Sequence, residues 1–105
     1  MSDPLVLALV SDARGGAALA AGFEEEGVPV AVFPADGTAD VLAGAAASRA
    51  LLGIGIGGDG ERLVLMLAGA PGRAYLEAPI ADARAFGQDA ARLAAHRPLR
   101  GRWRS

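Results

Sequence analysis

A chain of 105 residues fits one small domain, and 52% hydrophobic content with only 5% aromatics means a core of Ala, Val, Leu and Ile. A formal net charge of −2 excludes strong whole-molecule attraction to nucleic acid or anionic membrane, and the lack of cysteine excludes disulfides, thiolate metal sites and thiol nucleophiles. All 10 basic residues are arginine, which removes chemistry that needs a lysine, such as a Schiff base or a P-loop lysine.

Leu5 to Val10 is a continuous apolar run, the pattern of a strand buried on both faces in a parallel sheet. Ser11 to Gly16 reads as a loop, and Ala17 to Glu26 as a helix with Leu19 and Phe23 on one face. Gly27 stands where a left-handed cap belongs, and Val28 to Phe33 reads as a second strand. After a loop over Pro34–Gly37, Thr38 is an N-cap candidate and Asp40 favours the first turn of an alanine-rich helix to Ser48.

Leu51 to Ile56 predicts a third strand, Gly57–Gly60 a turn, and Arg62 to Ala68 a fourth strand. So short a glycine-rich connection cannot make a parallel crossover, so these two strands form an antiparallel hairpin. Ala74 to Ala78 reads as a short edge strand. Asp82 to Ala95 reads as an amphipathic helix through Phe86, Ala90, Leu93 and Ala94, weakened at Gly87. The expectation is a single domain over 1–105, with a folded core over 1–96 and a basic tail over 97–105. The order β-α-β-α-β-β-β-α predicts a three-layer α/β/α fold with a mixed, mostly parallel sheet of four to five strands, one of them antiparallel.

Few motifs carry chemistry. Gly53-Ile54-Gly55-Ile56-Gly57-Gly58 spells G-x-G-x-x-G, but its first glycines lie within a strand and no helix follows to hold a pyrophosphate. Glycines at alternate strand positions instead let a helix or a partner backbone come close. His96 is alone, and Ser11, Thr38 and Ser48 lack a nucleophile context, so no catalytic constellation is legible. Asp12, with Ser11 and Arg14, falls at the carboxyl end of the first strand, where open α/β sheets place their sites. Arg97, Arg100, Arg102 and Arg104 surround Trp103 in a segment that reads as an unstructured tail or a partner anchor. Met1-Ser2-Asp3-Pro4 lacks the basic start of a secretory signal and no apolar run is long enough to cross a bilayer, so a cytoplasmic protein is expected.

The most informative segment is Phe23-Glu24-Glu25-Glu26-Gly27-Val28-Pro29. Three carboxylates end a helix, against the negative end of its dipole, at a cost of roughly 0.3–1 kcal/mol each when exposed. Such oxygens suit solvent, an arginine or a divalent cation.

With Leu51-Leu52-Gly53-Ile54, Gly87-Gln88-Asp89-Ala90-Ala91-Arg92-Leu93 and Pro98-Leu99-Arg100 in the same order, this segment resembles the small (β) subunit family of diol/glycerol dehydratase reactivases. The resemblance runs through nearly the whole chain. It implies an anticodon-binding-domain-like fold and a subunit that catalyses nothing itself. It implies a large, ATP-hydrolysing partner subunit in a heterotetramer, and a client dehydratase large subunit whose damaged adenosylcobalamin is released when this chain exchanges with the medium subunit. It further implies that Glu25 is a Mg²⁺ ligand at the subunit contact, with Glu24 and Glu26 beside it and Arg92 and Arg100 at the partner interface. The alternatives are a dehydratase medium-subunit-like protein, a small nucleotide- or cobalamin-binding module, and an RNA-binding module.

Overall fold

The computed structural model describes residues 3–101 and Trp103. Five strands, β1 (Val6–Val10), β2 (Ala31–Phe33), β3 (Ile54–Gly58), β4 (Arg62–Leu67) and β5 (Ala74–Pro79), form one sheet in the order β2-β1-β3-β4-β5. β1 pairs in parallel with β2 and β3, and β4 runs antiparallel to both β3 and β5. β4 is therefore the one reversed strand, as the short β3–β4 connection predicts. Helices α1 (Ala13–Glu25) and α3 (Ala83–Ala94) lie on one face and α2 (Ala39–Arg49) on the other, so the expected three layers are present.

Side-chain alternation sorts the core between the layers. Val6, Ala8 and Val10 of β1, with Ile54, Ile56, Leu63 and Leu65, face α1 and α3 and pack against Leu19, Phe23 and Phe86. On the opposite face Val64 and Met66 meet Ala39, Ala43 and Ala47 of α2. That contact is made by backbone: a methyl group at Gly55 would run into the Ala47 main chain, and one at Gly57 into Ala39. The alternate glycines of β3 therefore seat a helix, the first of the two readings of that motif. α1 and α3 approach each other in the same way, with Gly22 against the Arg84 carbonyl and Gly87 against that of Leu19.

Several boundaries differ from expectation, each for a local reason. α1 begins at Ala13 rather than Ala17, because Asp12 caps it by accepting from the Gly15 amide at 2.7 Å. The glycines that read as loop are in its first turns, Gly15 against Ile80 and Gly16 against Val32. β2 is shortened to three residues, since Val28 still closes α1 with its amide on Phe23. β3 is shifted two to three residues along, because Leu51-Leu52 is an exposed turn and Gly53 takes φ 69°. A short 3₁₀ turn, Ile80–Asp82, precedes α3.

The segment after α3 is the largest departure. It read as a tail beyond the core, yet residues 97–101 and Trp103 fold back onto α3. Leu99 and Trp103 pack against the core, and the Trp103 ring meets Phe86 edge-on at 5.4 Å between centroids. Arg102, Arg104 and Ser105 lie outside the described residues.

Candidate partner interface

The acidic end of α1 is built by a Schellman cap: the Gly27 amide donates to Glu24 at 3.0 Å and the Val28 amide to Phe23 at 3.2 Å, with Gly27 at φ 71°. This fixes the three carboxylates on a defined turn. They then diverge.

Glu25 points across to α3. Its Oε1 accepts from Arg84 Nε at 2.9 Å and from Gln88 Nε2 at 3.1 Å, and its Oε2 pairs with Arg84 Nη2. The Arg84 and Gln88 hydrogen bonds, in that order, hold the Glu25 carboxyl down to about 2, and the carboxylate in turn raises the Arg84 guanidinium. The pair is accessible, with 37% of the Glu25 side chain and 65% of the Arg84 side chain exposed.

Glu26 is turned inward, with Oε1 at 3.0 Å from Arg97 Nη1 and 3.3 Å from Arg92 Nε. Arg97 Nη2 also donates to the Glu26 carbonyl at 3.0 Å. The Arg92 contact is one of charge: its buried Nε makes no hydrogen bond, and Nη1 reaches the Pro98 carbonyl at 3.4 Å. Glu24 is exposed and borders a hollow of about 390 Å³ with Phe23, Gly27, Val28, Pro29 and Val30.

Of the residues singled out by sequence, Glu25 and Glu24 therefore stand at the surface, while Glu26 and Arg92 pair with each other. Arg100 is exposed, and its amide donates to Asp89 Oδ1 at 2.9 Å. Asp12 sits at the opposite end of α1 as its cap, away from the glutamates. No group of three or more His, Asp or Glu converges as a metal site among the described residues. One accessible carboxylate fits a single ligand position in a site completed by water and another chain.

Sequence reasoning missed Asp89. It is 2% exposed and accepts from the Arg100 amide, from Gly101 N at 2.6 Å and from Trp103 Nε1 at 2.7 Å. Burial pushes its carboxyl up, and these donors outweigh burial to leave it below the usual carboxylate range. The signal was available: Asp89 follows Phe86 by three positions and precedes Ala90, so a carboxylate stands on the apolar face of α3.

The dehydratase medium subunit family model matches residues 6–100. The chain belongs to this family. Two solved structures share its fold. One, a glycerol dehydratase reactivase, is 27% identical with a TM-score of 0.82, over 93% of this chain and 97% of that one. The other, a diol dehydratase-reactivating factor complexed with ADP and Mg²⁺, is 24% identical with a TM-score of 0.81, over 96% of this chain and all of that one. A comparison with curated protein sequences finds no match. The resemblance to the reactivase small subunit family is thus supported over nearly the full chain, and with it a reactivase-related role. Among the described residues no helix is long and apolar enough to cross a membrane.

Proposed function

We propose that this chain is the non-catalytic small subunit of a reactivating factor for adenosylcobalamin-dependent diol or glycerol dehydratase. It works by exchange: by taking the place of the dehydratase medium subunit it loosens the holoenzyme, damaged cobalamin leaves, and an ATP-hydrolysing large subunit drives the cycle in the cytoplasm. One observation carries the reading: a single chain matches the medium subunit family and also has the shape of reactivase structures. A protein with the outline of a component of its client is suited to occupy that component's place.

In this scheme the end of α1 meets the large subunit. Glu25 offers one hard oxygen to a Mg²⁺ shared between the chains, which requires Arg84 to release it. The ion would supply a bridge of charge across the contact, while Gly27 and the capped turn hold the carboxylate in place. Glu26, occupied by Arg92 and Arg97, supports the turn.

The test is co-expression with a candidate large subunit, followed by recovery of glycerol-inactivated dehydratase activity with ATP, Mg²⁺ and fresh cofactor. Recovery that depends on this chain supports the proposal, and no recovery despite a formed complex overturns it. A second reading, a medium-subunit-like protein that stays with the dehydratase, is favoured by the description of the matching family. It predicts a stable, catalytically active complex with the dehydratase large subunit, and no release of cobalamin.

A further inference from the structure

The two faces of the sheet are covered unequally. α1 and α3 lie side by side over one, while α2 is alone on the other, seated on β3, β4 and β1. By alternation and register, Leu7 and Leu9 of β1 and their partners Ala31 and Phe33 of β2 share the α2 side. They floor an apolar groove of about 610 Å³ whose lining is completed by Asp3, Pro4 and Arg49. Phe33 is 54% exposed, an unusual position for a ring that dominates contact energy wherever it is buried. β2 is also an outer strand, and its far edge pairs with no other strand among the described residues.

We propose that this face is a self-association surface, covered by a second copy of the chain about a two-fold axis. The argument is charge complementarity. A two-fold interface brings the same patch of both copies together, so the patch must complement itself. A groove whose charged lining had one sign would repel its own copy. This one carries one acid and one base, Asp3 and Arg49, and neither joins an ion pair within the chain among the described residues. Asp3 of each copy then meets Arg49 of the other while Phe33, with the half-buried Leu9 and Ala31 beside it, closes on its equivalent above the already buried Leu7. A floor of four side chains is a modest interface, so the dimer belongs to the micromolar range rather than the nanomolar. The groove shares no lining residue with the hollow at the end of α1, so variants at Asp3, Phe33 and Arg49 leave the Glu25 contact itself unchanged.

Sedimentation velocity of the full chain from about 1 to about 200 µM, which brackets micromolar association, reads the outcome. The expected result is a rise towards twice the monomer mass. Phe33→Glu should weaken the dimer by at least about tenfold, as for a buried aromatic anchor. Arg49→Asp should weaken it also, and the exchange Asp3→Arg with Arg49→Asp should restore it. If Phe33→Glu fails to fold by circular dichroism, the two charge variants decide alone. A chain that stays monomeric throughout overturns the proposal, as does a dimer indifferent to Arg49→Asp and to its exchange. So does a monomer whose Phe33 is protected from solvent only when another subunit is added.

Discussion

Two carboxylates on packed helices show how differently one functional group can be held. Asp89 of α3 is buried and takes two backbone amides and an indole, all from the segment that follows its own helix. Glu25 of α1 is accessible and takes two side chains, Arg84 and Gln88. Backbone amides are fixed by the fold, and taking their acceptor away leaves them unsatisfied in the interior. Long surface side chains can turn to water at little cost, so their partner is free to be exchanged. The first carboxylate therefore holds structure, and the second is suited to an interaction that comes and goes.

The most direct way to break this contrast is Asp89→Ala. It strands three donors in a mostly buried site and should lower stability by about 3 kcal/mol, read as a shift in the urea midpoint. Trp103→Ala removes the ring from Phe86 and one of those donors but leaves the two amides paired. Because Trp103 is half-buried, the expected loss is smaller, about 2 kcal/mol. A variant with Asp89→Ala and an unchanged midpoint would mean that the carboxyl-terminal segment is not anchored there in solution.

Acid sharpens the same contrast. The Asp89 carboxyl lies below its ordinary value when folded, so its contribution is complete above the unfolded-state value of about 3.9 and is lost as pH falls through that value towards the folded one. Glu25, held down to about 2, has the same sign. Since Trp103 is the protein's one tryptophan, its emission reports on the Asp89 clamp directly. The expectation is a red shift in acid that Asp89→Asn removes and Glu25→Gln leaves in place.

How much of this was legible in the sequence depends on whether a residue's role is set by its neighbours in the chain. The unbroken apolar run of β1, the Gly27 cap and the short β3–β4 connection are local, and they gave the layer order and the reversed β4. Gly15, Gly16 and Gly53-Ile54-Gly55-Ile56-Gly57 misplaced boundaries, because glycine chosen for close helix contact looks the same in sequence as glycine chosen for a turn. The acidic triplet was visible, but its sorting was not. That Glu25 meets Arg84 and Gln88, 59 and 63 positions away, follows only from α1 lying against α3. Asp89 was visible as a charge on an apolar face, and its donors lie 11 to 14 residues on, in a segment whose arginines suggested solvent.

A smaller effect is expected where the segment turns back. His96 takes φ 58° at the end of α3, with its amide on Leu93 at 3.1 Å and the Arg97 amide on Arg92 at 2.7 Å. This is the position that favours glycine, and a side chain there costs roughly 1 kcal/mol. His96→Gly should raise stability by somewhat less, about 0.5 kcal/mol, because glycine also loosens the unfolded chain. Thermal unfolding reads the change, and a fall in the midpoint would show that the imidazole itself holds the turn.

The smallest effect on stability, and the most telling for function, is expected at Glu25. Glu25→Gln replaces a paired charge at an exposed site, where ion pairs contribute little, so the unfolding midpoint should hardly move. If the carboxylate serves a Mg²⁺ shared with the large subunit, the same variant should weaken Mg²⁺-dependent association by at least about tenfold, since even outer-shell changes at metal sites reach that size. Arg84→Gln supplies the converse: it frees the carboxylate from its internal partner, so association should tighten if release of Arg84 is part of docking. Tighter binding by Arg84→Gln together with weaker binding by Glu25→Gln would assign Glu25 to the contact. Loss in both would mean that the Glu25–Arg84 pair is itself the surface the partner recognises, with no ion between them.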